Sequence, residues 1–225
     1  MSASVGSRKA ICNICGGKQF EFGPNNRKSS TGELPRCTQC QSLERHRQLR
    51  QIYTQFPREY LAKLQVLQLS PDIGVEPSWF GSYEVSVFQG ENSLDLHSID
   101  RRDASYDLVI CNHVLEHVAD DRRGLHELMR ITRPHGFLQI TVPTPYTRDK
   151  TVDWGYARPE SHGHYRGYGR DFLNLFSHMR PDAGALEVEA FDDVTGAGGY
   201  VYLWSRDNGL IHMMQDWIAN PIVSA

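Results

Sequence analysis

The chain lacks any apolar run approaching the ~20 residues needed to cross a bilayer. Its first ten residues, MSASVGSRKA, lack the apolar h-region of a secretory signal. These two absences set the expectation of a cytoplasmic protein without a membrane partner, whose thiols stay reduced. There is also little net charge, only -3 over 225 residues. That small value hides an asymmetry. Residues 1–50 hold nine Lys/Arg against Glu21, Glu33 and Glu44, a balance of +6, which leaves -9 for the remainder. The basic segment is either a surface for an anionic partner or a solvated face of a small module. With 40% hydrophobic and 23% charged residues, the length suits one α/β domain plus a small appendage.

Cysteine is scarce, and four of the five are paired in sequence. Cys12-Asn-Ile-Cys15 and Cys37-Thr-Gln-Cys40 are two Cys-x2-Cys knuckles. Each turn can place two thiolates at adjacent corners of a tetrahedron, so together they predict a structural four-cysteine zinc site. Two disulfides are the rival reading, disfavoured in a reducing compartment. The Gly-, Asn-, Pro- and Ser-rich segment between the knuckles can bury little by itself, so metal would supply its folding energy. Cys111 stands alone in an apolar run and reads as a small buried hydrophobe.

Ser42 opens an expected helix, SLERHRQLRQIYTQF, with Leu43, Leu49, Ile52, Tyr53 and Phe56 as its apolar stripe and Pro57 as its stop. His46 and the arginines would lie on the wetter face. The domain boundary falls near Phe56 with no flexible linker: 1–56 ribbon and connecting helix, 57–225 main domain. Leu64–Leu69, Tyr83–Phe88, Leu108–Cys111 and Phe137–Val142 read as buried strands. Asp120-Asp121 caps the helix DRRGLHELMRI, and Thr132–Gly136 is a helix stop and turn. Leu186–Phe191 and Gly199–Trp204 read as a closing antiparallel hairpin. The helix RDFLNLFSHM precedes that hairpin. The amphipathic tail Ile211–Ala219 would cover a sheet edge or a partner subunit in a homodimer.

The stretch from Asp95 to Val118, DLHSIDRRDASYDLVICNHVLEHV, places a polar cluster at the C-terminal end of a buried strand, where open α/β sheets bind ligands. It resembles the middle of a class I S-adenosylmethionine-dependent methyltransferase, in the pattern "FDlV…vLEHv". Asp95, Tyr106, Asp107, Leu115, Glu116 and His117 match as they stand. The run from Leu125 to Val142 is similar to the "ALkElyRvLkPGG.l.i.vP" segment of the same superfamily. Within it the chain resembles a zinc-ribbon group with a four-cysteine ribbon, a "SLERHR" helix start and a "HxRxYG" stretch; the turn of that group reads Ala-Pro-Glu, and Asp72 would stand where that Glu does.

The resemblance implies a Rossmann-like class I fold: a mostly parallel seven-stranded sheet, an antiparallel closing hairpin and an N-terminal zinc ribbon. It implies S-adenosylmethionine as cofactor, held by the turn Ser70-Pro71-Asp72-Ile73-Gly74, by Gln89 or Glu91 at the ribose, by Asp95 at the adenine, and by Asn112 and His113. The turn has one glycine where the superfamily has two or three. The acceptor would be a small molecule such as a sugar or other metabolite, methylated on oxygen. An RNA methyltransferase using the basic segment, and a methyltransferase fold without catalysis, are the alternatives.

Residues 143–160 leave the C-terminal end of a strand without periodicity, and 143–168 read as a substrate lid. Tyr146, Trp154 and Tyr156 either wall a pocket or pack the lid down. At its end Ser161-His-Gly-His-Tyr-Arg-Gly-Tyr-Gly169 is a site signature. A hydroxyl acceptor needs a base, and histidine titrates nearest neutrality. His164 is the favoured base, with His113 and His162 as alternates. Arg166 would neutralise an anionic group on the acceptor, and Tyr168 would hydrogen-bond nearby. A metal reading of His162 and His164 lacks a third ligand at a recognisable spacing.

Overall fold

The computed structural model describes residues 10–177 and 182–219. Arg8 and Lys9 of the basic segment, and the end of the expected helix at His178-Met179, lie outside the described residues. In chain order the ribbon carries β1 (Phe20–Glu21) and β2 (Arg36–Cys37). Then come α1 (Glu44–Tyr53), α2 (Arg58–Leu61), β3 (Gln65–Leu69), β4 (Ser82–Ser86), β5 (Tyr106–Asn112) and α3 (Asp121–Ile131). Next are β6 (Thr132–Thr141), β7 (Val152–Arg158), β8 (His164–Gly167), α4 (Phe172–Ser177), β9 (Gly184–Phe191), β10 (Gly198–Ser205) and α5 (Asn208–Ala219). No helix among the described residues is long and apolar enough to cross a membrane.

The central sheet has the order β4-β3-β5-β6-β10-β9. Its first four strands run parallel, and the β9–β10 hairpin closes it antiparallel, with Val201 opposite Val188. The apolar run of β5 is buried on both faces, as a central parallel strand requires. Val109 and Cys111 pack with α3 and α4, whereas Leu108 and Ile110 pack with α1, α2 and α5. Asp120 caps α3 by accepting from the Arg123 N–H at 2.9 Å. Gly136 lets β6 approach β5, since a Cβ there would stand 2.4 Å from the Asp107 carbonyl oxygen. The turn expected over Thr132–Gly136 is absorbed into β6.

Four expectations need correction. The sheet has six strands among the described residues, not seven. Between β4 and β5 the chain makes only an isolated bridge, Asp95 with Ser98, while Leu94, Leu96 and Ile99 bury into the core. The Ile99 N–H goes to the Glu127 carboxylate, so this backbone has no ladder to join. The lid is not wholly irregular, because β7 and β8 pair antiparallel within it. Ser42 does not cap α1. Its hydroxyl lies 3.2 Å from both Cys12 and Cys40 Sγ, and the Leu43 N–H donates to His46 Nδ1 at 3.0 Å instead. Finally, Arg47 is not on a wet face. It is 1% exposed and bonds Asp192 together with the Ser42 and Pro35 carbonyls.

The tail helix packs on its own sheet. Leu210, Ile211 and Met214 are buried there, and Trp217 meets Phe56 and Tyr60 at centroid distances of 5.3 and 4.9 Å.

Candidate functional site

The ribbon gathers four thiols. Cys12 and Cys40 Sγ are 3.7 Å apart, Cys15 and Cys37 Sγ are 3.6 Å apart, and all four lie within 4.8 Å of one another. Zn–S bonds of about 2.3 Å in a tetrahedron put sulfurs about 3.8 Å apart, so the cluster fits a structural zinc ion. Gly17 closes the cradle. A Cβ there would meet Cys37 Sγ at 2.9 Å.

At the C-terminal ends of β3, β4 and β5 lies a cavity of about 630 Å³. From the expected donor residues it takes Ser70, Asp95 and His113, and the lining also includes Phe88, His97 and His117. Ser70, which opens the expected donor turn, holds a left-handed backbone, φ +67, a conformation that favours glycine. Asp95 Oδ1 accepts from the His97 backbone N–H at 2.9 Å and lies 3.0 Å from His97 Nδ1. The backbone bond comes first among the causes that hold the Asp95 carboxyl below its ordinary pKa.

The other expected donor residues stand outside the lining, for local reasons. Asp72 Oδ1 accepts from the Gly74 N–H at 2.6 Å, and Oδ2 faces His46 Nε2 at 3.7 Å. Gly74 is a packing glycine, since a Cβ would stand 2.7 Å from Leu49. Pro71 is exposed beside them. Gln89 and Glu91 sit in a tight exposed turn closed by the Val87 N–H to the Glu91 carbonyl. Asn112 is buried, and its Oδ1 accepts from Gln139 and Thr141.

A second cavity, about 650 Å³, lies between the lid, α1 and β10. Its lining includes Arg45, Gln48, Tyr146, Arg148 and Trp154, together with His113, His162 and His164. Of the three lid aromatics, Tyr146 and Trp154 wall this cavity, while Tyr156 is exposed. His113 is therefore common to both cavities. It too has a left-handed backbone, φ +52, and its Nδ1 lies 3.6 Å from Glu116 Oε1. His164 stacks edge-on against His117, with centroids 4.6 Å apart. Burial is the main cause that lowers its pKa, and the Glu116 carboxylate opposes it.

Arg166 and Tyr168 do not face either large cavity, against expectation. The Arg166 guanidinium donates to the Val118 and Ala119 carbonyls at 2.7 and 2.8 Å and to Asp153 at 3.1 Å. The Tyr168 hydroxyl donates to Asp121 at 2.8 Å. Arg166 pins β8 to the segment between β5 and α3, and Tyr168, just past β8, ties the chain to the first residue of α3. Of the His-x-Arg-x-Tyr-Gly stretch, only His164 and Gly167 reach the lid cavity. Sequence reasoning missed Arg45, Gln48, Arg148 and Phe88. Phe88, expected as the last residue of a buried strand, lies past the end of β4 and is 72% exposed.

The methyltransferase domain family matches residues 44–179, which is more than half the chain. No curated protein matches it. Among solved structures, the Burkholderia thailandensis 1,6-didemethyltoxoflavin-N1-methyltransferase with bound S-adenosylhomocysteine is 14% identical, with TM-score 0.43, over 67% of this chain and 77% of that one. A SAM-dependent methyltransferase from Aquifex aeolicus is 15% identical, with TM-score 0.39, over 67% and 90%. The [4+2]-cyclase SpnF is 11% identical, with TM-score 0.47, over 83% and 86%. With strands in the order of a parallel sheet closed by a hairpin, and a cavity at the strand ends, the chain belongs to the methyltransferase domain family and is a class I S-adenosylmethionine-dependent methyltransferase.

Proposed function

We propose that the enzyme methylates a small anionic molecule held in the lid cavity, and that His113 takes the acceptor proton. The observation that carries this reading is that His113 lines both cavities. S-adenosylmethionine supplies an electrophilic methyl group on a sulfonium. Ser70, Asp95 and the Phe88 face would hold that donor at the strand ends. The chain's own contribution is to align the acceptor, exclude water under the lid and receive a proton. An imidazole at the junction of the cavities is better placed for that than His164, which lines only one. An acceptor hydroxyl gives that base its task.

The charge of the lid cavity supports an anionic acceptor. Arg27 is neutralised there by a bidentate pair with Glu44, at 2.8 and 2.7 Å. Arg45 Nε is buried without a hydrogen-bond partner among the described residues, and Arg148 lies on the lid wall. A carboxylate or phosphate on the acceptor would satisfy these two guanidiniums.

The basic N-terminal segment gives less support to RNA as acceptor. Arg27, Arg36, Arg47 and Arg50 each pair with a carboxylate of the chain. The test is transfer of a labelled methyl group from S-adenosylmethionine into a fractionated cell extract. Label should enter the anionic small-molecule fraction and fall about 10²–10⁴-fold in His113→Ala. Label confined to RNA would overturn the reading.

A further inference from the structure

Glu116, His117 and His164 converge where the two cavities meet. Glu116 and His117 sit on a single helical turn, Leu115–His117, and His164 begins β8. One donor atom from each of the three lies within 4.8 Å of the others. His117 lines the strand-end cavity and His164 the lid cavity, so the cluster is reachable from both sides. Arg166 holds this register by bonding the carbonyls that follow His117.

The cluster contains an unbalanced group. Glu116 is 1% exposed, and its Oε2 has no hydrogen-bond partner among the described residues. Its other oxygen has only His113 Nδ1, at 3.6 Å. A buried carboxylate oxygen left without a donor is costly, and buried charges are normally paired or coordinate metals. His117 and His164 each bring an imidazole nitrogen within 4.8 Å of the Glu116 carboxylate, and both can present lone pairs.

We propose that Glu116, His117 and His164 bind a divalent transition-metal ion, separate from the ribbon zinc, at the boundary of the two cavities. Two imidazole nitrogens and one carboxylate suit zinc, iron, cobalt, nickel or manganese rather than the all-oxygen sites of magnesium and calcium. Bonds of about 2.0–2.2 Å put donor atoms about 3.3–3.6 Å apart in a tetrahedron, so closure from within 4.8 Å needs at most about 1.5 Å of approach between side chains. Three protein ligands leave coordination positions open, as in catalytic rather than structural sites. An oxygen of the acceptor would take one of them, a role that rests on the methyltransferase reading. The ion site itself does not rest on it.

The probe is Co2+ added to full-length protein whose ribbon is already loaded with zinc. One Co2+ per chain should bind, with visible d–d bands and no thiolate charge-transfer band. In wild-type protein it should shift the ring resonances of His117 and His164. Glu116→Gln and His164→Ala should each weaken Co2+ by more than about tenfold, the least that even an outer-shell partner costs. His135→Ala, which removes a surface histidine paired with Asp207, should bind as wild type. S-adenosylhomocysteine calorimetry on the same samples separates the two claims. If Co2+ binds but S-adenosylhomocysteine does not, the methyltransferase reading fails and the ion site stands. Absent Co2+ binding, unshifted His117 and His164 rings, or equal affinity in Glu116→Gln overturns the site.

Discussion

Arg47 and Asp192 form a bidentate pair, Nε to Oδ1 at 2.7 Å and the second guanidinium nitrogen to Oδ2 at 2.8 Å, with both side chains sealed from water. The pair ties α1, which follows the ribbon, to the turn of the closing hairpin. Gln48 reinforces it by donating to the Ala197 carbonyl at 2.7 Å. Removing one partner leaves the other charge buried and alone. Asp192→Ala should therefore cost about 3–5 kcal/mol in urea unfolding. Replacing both, as Arg47→Met with Asp192→Leu, should cost less than the sum of the two single changes. Additive losses would show that the pair acts through packing alone.

The ribbon should carry one zinc. Cys37→Ser should lower metal content by one equivalent per chain and expose residues 12–41 to protease, since those residues have little apolar surface to hold them. Wild-type protein purified without chelator and containing no zinc would count against the assignment.

His46 makes stability depend on pH. Burial is the largest cause that pushes its pKa down, from 6.5 to about 4, although Asp72 opposes it. The Leu43 N–H occupies Nδ1 as an acceptor, so protonation there would also break the helix cap. The unfolded chain takes up the proton below pH 6.5 and the folded chain does not until about pH 4. Stability is thus fully present above pH 6.5 and falls by about 3 kcal/mol as pH drops to 4. His46→Gln should flatten that part of the profile. An unchanged slope would assign the acid sensitivity to other groups.

The fold was legible where burial repeats along the sequence. Leu108–Cys111 reads as a strand covered on both sides, and Leu186–Phe191 alternates as a half-exposed edge strand does, while its partner Gly199–Trp204 is apolar nearly throughout and mostly buried. The knuckle cysteines were legible because one tight turn sets their spacing. The site was legible only in part. Arg166 and Tyr168 looked like site groups because they are polar among glycines. Their partners, the Val118 and Ala119 carbonyls and Asp121, are distant in sequence and left no local trace. The same distance hid Glu116 and His117 from His164. Gly74 reads as a cofactor glycine from the sequence, but its neighbour Leu49 belongs to a helix on another segment.

The most direct test of a donor at the strand ends and an acceptor under the lid is calorimetry of S-adenosylhomocysteine with wild-type protein, Asp95→Ala and Arg45→Met. Asp95 lines only the strand-end cavity and Arg45 only the lid cavity. Asp95→Ala should weaken binding by about 1–3 kcal/mol, the cost of leaving a buried donor unpaired, and Arg45→Met should leave it unchanged. Unchanged binding in Asp95→Ala, or loss of binding in Arg45→Met, would contradict the division of the site.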